Sequence, residues 1–206
     1  MITEKEITDR LEQKILAGGW NRIKPEDAIR KELAGMPIYD APIFGFGDAH
    51  DPLFHTWKKP QVMHPDVLLP EGWLPGARTV ISYFFPFTDQ VRRANAKAGI
   101  RPADEWLHGR IEGQEMIAAV GRELCSILEE KGYAAVCPSL DPRFRMVADY
   151  VSNWSERHAA YICGLGTFGL SKGLITRKGI AGRFGSVITS CALPITERPY
   201  EGLTDY

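Results

Sequence analysis

Apolar side chains recur at Ile7, Leu11 and Ile15, every fourth position of residues 3–17. That spacing places them on one helical face. Thr3 and Glu6 form a capping-box pattern at its start, and Gly18-Gly19 ends it. Pro25-Glu26-Asp27 opens a second, short helical reading through about Leu33. Periodicity then stops. Between residues 35 and 77 stand Pro37, Pro42, Pro52, Pro60, Pro65, Pro70 and Pro75, interleaved with Tyr39, Phe44, Phe46, Phe54, Trp57 and Trp73. Proline removes an N–H donor and blocks regular helix. So many aromatic residues are out of place in a disordered chain. The segment therefore reads as an ordered wrap on a core.

Arg78–Phe85, with Val80, Ile81, Tyr83, Phe84 and Phe85, is the first clear strand, closed by Pro86. Residues 104–131 predict one long amphipathic helix, from the spacing of Ile117, Val120, Leu124 and Ile127/Leu128. Gly132 caps it, and 133–137 predict a short strand stopped by Pro138. A further helix over 154–163, capped by Ser152 or Asn153, runs into Gly164-Leu165-Gly166. Leu174–Thr176 and Phe184–Ser190 predict two strands around a glycine-rich turn at 179–182, with Arg177, Lys178 and Arg183 at its solvated tip. Long helices between short strands define an α/β (α+β) layout whose strand order is not readable from this pattern.

Composition narrows the function classes. A chain of 206 residues can bury one sizeable core. The net charge of -1 gives no global attraction to nucleic acid or an anionic membrane. No apolar run approaches the roughly 20 residues that span a bilayer, and residues 1–20 carry no secretory pattern, so the cytoplasm is the expected compartment. Cys125, Cys137, Cys163 and Cys191 form no CxxC pair and read as reduced, buried apolar side chains. His50, His55 and His64, with His108 and His158 elsewhere, match no zinc spacing, so no metal site is expected among them.

The stretch most suggestive of chemistry runs from Glu156-Arg157 through Gly164, Gly166, Gly169 and Gly173 to Thr176. Glycine permits positive φ and close approach to the main chain, and such a loop can offer backbone N–H groups to a ligand. Gly164-x-Gly166-x-x-Gly169 also matches a dinucleotide fingerprint, but that motif needs a strand before it and a helix after it. Here the predicted order is the reverse.

Glu156-Arg157, the Gly-Leu-Gly that follows, Gly169 and the strand Leu174-Ile175-Thr176 resemble the signature of the epoxyqueuosine reductases. Leu74–Ile81 resembles that family's lead into its first core strand, Gly185–Thr189 its later strand, and Leu193–Gly202 its linker to a ferredoxin-like module. The resemblance covers about residue 36 onward. It implies a nitroreductase-like, cobalamin-binding core with a mostly antiparallel or mixed sheet flanked by helices. On that frame residues 1–34 are an N-terminal helical segment, 35–77 the wrap, 78–192 the core and 193–206 the linker.

The implied activity is two-electron reductive removal of oxygen or another leaving group. The implied partners are a modified-nucleoside or other small-molecule substrate and an electron-donor protein; tRNA also fits the family but not the charge. The implied cofactor is cobalamin, with Cys163, Gly164, Leu165, Gly166, Thr167, Phe168, Gly169, Ser171 and Lys172 as its binding segment. Clusters of the 4Fe-4S type need closely spaced cysteines, so they are expected only if the chain continues beyond Tyr206. The family's proton-donating Asp has no clean counterpart. Asp141 and Asp149 are the candidates, with Tyr161 as a further donor. Two other readings stay open: a corrinoid carrier or sensor without catalysis, and a flavin-dependent nitroreductase-like enzyme.

Overall fold

All eight residues of Thr79–Pro86 are buried, and a strand hidden on both faces belongs in the middle of a sheet. In the structure, a computed structural model that describes residues 2–205, the elements run in order. They are α1 (Glu4–Gly18), β1 (Ile43–Asp48), α2 (Leu53–Thr56), α3 (Pro70–Trp73), β2 (Thr79–Pro86), α4 (Asp89–Lys97), α5 (Asp104–Arg110) and α6 (Glu112–Glu129). Then follow β3 (Ala135–Val136), β4 (Met146–Ala148), β5 (Val151–Ser152), α7 (Glu156–Ile162), β6 (Gly166–Phe168), β7 (Leu174–Thr176) and β8 (Gly182–Thr189).

The main sheet has the order β1-β2-β8-β3, and every pairing in it is antiparallel. Alternation along its strands splits the core in two. Phe46, Ile81, Tyr83, Phe85 and Val187 face the apolar stripes of α1 and α6, including Ile7, Leu11, Val120 and Leu124. Ile43, Val80, Phe84 and Ile188 face α7 and three buried tryptophans, Trp57, Trp73 and Trp154. Burying one such large side chain contributes about 1.5–3 kcal/mol. The mixed α/β class with an antiparallel sheet flanked by helices is as expected.

Several elements differ from the sequence pattern. Residues 25–33 hold no α-helix but a turn at 25–27, closed by Asp27 N–H to Lys24 O, and a short 3-10 helix at Lys31–Leu33. Tertiary bonds pin this stretch: Ile29 N–H donates to His108 Nε2, and Arg30 pairs with Asp104 and Glu105. The expected single helix over 104–131 is two, α5 and α6, broken at Ile111 (φ -93, ψ -76). Gly109 and Gly113 flank that break, and a Cβ on either would collide with the rings of Phe87 or Tyr39. The helix starting near 154 begins at Glu156, and its cap is Ser155. β7 does not join the main sheet but pairs with β6 in a separate hairpin. The edge beside β8 is taken by β3, and the opposite edge, beside β2, by β1, which lies inside the segment that reads as an ordered wrap. The short α4, capped by Thr88, has no counterpart in the sequence reading.

Candidate functional site

Glu156 and Arg157, at the start of α7, tie that helix to β8 and to the glycine loop respectively. Glu156 Oε2 accepts a hydrogen bond from Ser186 Oγ at 2.6 Å, and Ser186 Oγ accepts from Trp154 Nε1 at 2.9 Å. This chain fastens the first turn of α7 to the middle of β8. Arg157 Nη1 donates to the Lys172 carbonyl at 2.7 Å, tying the far side of the loop to the same helix. Glu156 keeps some solvent exposure as a residue, but its Oε1 is buried with no hydrogen-bond partner among the described residues. Burial pushes its carboxyl up to about 7, against hydrogen bonds that favour the charged form. His158, one turn along, holds Nδ1 2.8 Å from Ser155 Oγ and lies between the rings of Trp57 and Phe168. Burial lowers its imidazole to about 4.

The loop glycines serve the fold itself. Leu165 N–H donates to Ala160 O and Gly164 N–H to Tyr161 O, with Gly164 at φ +82: a Schellman motif ending α7. Gly166 lets β6 lie against β7, since a Cβ there would fall on the Ile175 carbonyl oxygen. The end of α7 sits directly on β1 because Gly45 and Gly47 carry no side chain. A Cβ on Gly45 would overlap the Cys163 carbonyl, and one on Gly47 would stand 2.9 Å from Cys163 Sγ.

Across this junction runs an extended strap, residues 193–205. Thr196 engages the outer edge of β1, its N–H donating to Phe46 O at 2.8 Å while its Oγ1 accepts from Phe46 N–H at 2.9 Å. Arg198 pairs with Asp51 at 2.6 Å and donates to Ile162 O at 3.2 Å. Tyr200 stacks on Tyr161, donates to the Tyr161 carbonyl at 2.7 Å and accepts from Gly166 N–H at 3.2 Å. Further on, Tyr161 Oη donates to Glu201 O, and Phe168 N–H donates to Leu203 O. Loop, β1 and strap line an open cavity of about 380 Å³. Ile43, Phe44 and Leu165 give it apolar wall, and Arg177, Glu197 and Asp205 give it charge.

Of the expected binding segment, Gly164, Leu165, Gly166 and Thr167 reach this cavity. Cys163 instead points into the core, its thiol donating to Val80 O, and burial pushes that thiol up. Phe168 stands against His158 and Tyr161, Gly169 closes a turn with Gly173, and Ser171 and Lys172 are exposed on that turn. The expected free backbone donors are engaged: the N–H groups of Gly164, Leu165, Gly166, Phe168, Gly169 and Lys172 all have acceptors within the chain. The three candidate proton donors are not gathered together. Asp141 is gripped by Arg143, whose guanidinium holds its carboxyl below the usual range. Asp149 lies in the turn between β4 and β5, and Tyr161 lies under Tyr200. The sequence reading missed Phe44, Thr196, Glu197 and Tyr200. The alternation Phe44-Gly45-Phe46-Gly47 was the available signal for the β1 wall.

Together these features define an α/β protein with an antiparallel sheet flanked by helices and a glycine-rich loop seated on the edge strand. Two solved structures share the fold: epoxyqueuosine reductase from Streptococcus thermophilus and a selenomethionine-labelled epoxyqueuosine reductase. Each aligns over 94% of this chain with a TM-score of 0.50 and 14% identity. The alignment takes in 49% of each solved chain, so this chain spans about half their length. No family model and no curated protein matches the sequence. Among the described residues no helix is long and apolar enough to cross a membrane, and no cluster of three metal-ligating side chains is found.

Proposed function

We propose that this chain is the cofactor-binding core of a cobalamin-dependent reductase of the epoxyqueuosine reductase type. The observation that carries the reading is the fold likeness over 94% of the chain to reductases of that name. The cavity wall suits such a cofactor in its chemistry. Apolar Ile43, Phe44 and Leu165 would back a flat ring, and backbone and hydroxyl groups at the rim would meet its amides. Cobalamin, when bound, would supply a strongly reducing metal centre. The chain's own residues would exclude water, orient the ring edge and deliver protons. Removing an epoxide oxygen breaks two C–O bonds, consumes two electrons and two protons, and releases water. The electrons come from a donor protein or from 4Fe-4S clusters outside these residues. Tyr161 stands nearest the cavity of the three candidate proton donors, stacked on the cavity-lining Tyr200, and its hydroxyl would reach a ligand only after releasing Glu201 O. Asp141 and Asp149 are the weaker candidates.

A second reading, corrinoid binding without turnover, is favoured by one observation: none of Asp141, Asp149 and Tyr161 lines the cavity. Titration of the purified chain with hydroxocobalamin and with flavin mononucleotide, followed by visible spectroscopy, tests the cofactor. Saturable spectral change with the corrinoid alone is expected. Flavin binding without corrinoid binding would overturn the proposal. Turnover of epoxyqueuosine-containing RNA with a chemical reductant then separates reductase from carrier.

A further inference from the structure

The cavity holds about 380 Å³, near the lower end of the roughly 300–1,000 Å³ typical of small-molecule sites. A macrocycle the size of a corrin exceeds that space while the strap is in place. The strap is not equally anchored along its length. Leu193 is buried, Thr196 is bonded to β1, and Arg198 is ion-paired to Asp51. From Pro199 to Asp205 no residue is buried, and Leu203 is 53% exposed. This outer part is held to the loop by one ring stack and four hydrogen bonds. They run from Tyr200 Oη to Tyr161 O, from Gly166 N–H to Tyr200 Oη, from Tyr161 Oη to Glu201 O, and from Phe168 N–H to Leu203 O. Segments held by hydrogen bonds with few buried apolar contacts open locally at low cost.

We propose that Pro199–Asp205 is a displaceable lid, hinged at Arg198, that occupies the binding rim for a flat, carboxamide-edged ligand. Closed, the lid answers the donors of Gly166 and Phe168 with its own oxygens and takes the Tyr161 carbonyl with a hydroxyl. Open, it releases the lid's hold on the N–H groups of Gly166 and Phe168 and on one lone pair of the Tyr161 carbonyl, which still accepts from Gly164 N–H; of these residues Gly166 lines the cavity with Leu165 and Phe44. That is the complement of amide groups around a ring: carbonyl oxygens for the donors, an amide N–H for the acceptor. The lid and the ligand therefore compete for the same three groups. Only the choice of a corrinoid as probe rests on the function proposed above.

The test compares the intact chain with Tyr200→Phe, which keeps the ring stack and removes the bridging hydroxyl. Amide exchange is read residue by residue by NMR, and hydroxocobalamin binding by visible spectroscopy. A lid that opens as a unit should show exchange at both Gly166 and Phe168 roughly ten-fold faster in the variant, as expected for loss of its central anchor. Corrinoid binding should tighten several-fold, because a larger fraction of molecules is open. Tyr161→Phe, which removes the bond to Glu201 O, should act in the same direction. Acceleration confined to Gly166 would make Tyr200 a local partner only and overturn the lid. Equal or weaker corrinoid affinity in a variant with faster exchange would overturn the competition. Failure of both proteins to bind hydroxocobalamin would reject the corrinoid reading, while the exchange rates would still decide the lid.

Discussion

Glu156 offers a quantitative test of the scaffold beneath the loop. Its carboxyl sits against Ser186 with one oxygen unpartnered, and burial raises it from 4.5 to about 7. Between those values the unfolded chain loses its proton first, so the native state binds more protons than the unfolded state. Stability contributed at low pH is therefore lost as pH rises from about 4.5 to 7. At about 1.4 kcal/mol per pH unit, the loss is at most about 3 kcal/mol. His158 works in the opposite direction. Its imidazole, lowered from 6.5 to about 4, is neutral in the native state, so the stability it contributes is full above 6.5 and falls as pH drops toward 4. The two windows overlap and largely cancel in the intact protein.

Glu156→Gln separates them. The amide keeps an acceptor for Ser186 and discards the charge. Its NH₂ group, where Oε1 is now, gains no partner, a pH-independent cost of about 1–3 kcal/mol. The offset between the two proteins is therefore uninformative, and the slope carries the result. Urea unfolding at half-unit intervals from pH 4.5 to 8 should show the variant gaining up to about 3 kcal/mol relative to the intact chain across that range. The variant alone should also show the rise with pH due to His158. Two parallel stability curves would refute the buried, proton-holding Glu156.

Three other outcomes follow from the same geometry. His158 should remain a neutral imidazole down to about pH 5 in an NMR titration of its ring protons; ordinary titration near 6.5 would contradict its burial between Trp57 and Phe168. Arg157→Ala should speed amide exchange at Gly169–Gly173 several-fold while lowering global stability by about 1 kcal/mol or less, because it removes one brace from an exposed turn. Gly166→Ala should lower stability by about 2 kcal/mol or more in thermal melts, because its Cβ would fall on Ile175 O and force β6 from β7. A neutral Gly166→Ala would show that the hairpin has room to shift.

Much of the frame could be read from periodicity. The four-residue spacing of α1, the stripe on α6 and the unbroken apolar run of β2 each follow directly from what a buried face demands. β1 escaped because its alternation sits among prolines, and because every second residue of Phe44–Gly47 is glycine, which a hydrophobic-polar code leaves blank. The break at Ile111 escaped because the residues around it carry no proline or strong turn signal, while the rings packed on its flanking glycines, Phe87 and Tyr39, come from other segments of the chain. Residues 193–205 show no period. Their order comes from main-chain bonds to β1 and the loop, which depend on tertiary placement. The same is true of Glu156: a carboxylate at the first turn of a helix is ordinarily a solvated cap residue, and only the position of β8 buries it.

The glycine loop therefore changes its meaning between sequence and structure. Glycine density suggested a backbone left open for a ligand. In the fold each glycine has a local reason: Gly164 ends α7, Gly166 admits β7, and Gly169 closes a turn with Gly173. A loop whose donors are already engaged does not by itself select a ligand. Selection then falls to the groups that surround it. Thr196 takes the outward-facing N–H and C=O of Phe46, and in an antiparallel pair the residue two positions away, Phe44, turns its peptide groups the same way. Phe44 lines the cavity opposite the lid. With the lid as proposed, the edge peptide of Phe44 stands on one side of the loop and displaceable contacts on the other. On this view the Glu-Arg pair acts on the scaffold, since neither residue lines the cavity. Glu156 fastens the first turn of α7 to β8 and Arg157 fastens Lys172 to the same helix, while the bonds that end α7 and the bare Gly45 and Gly47 set Cys163 and Leu165 against β1.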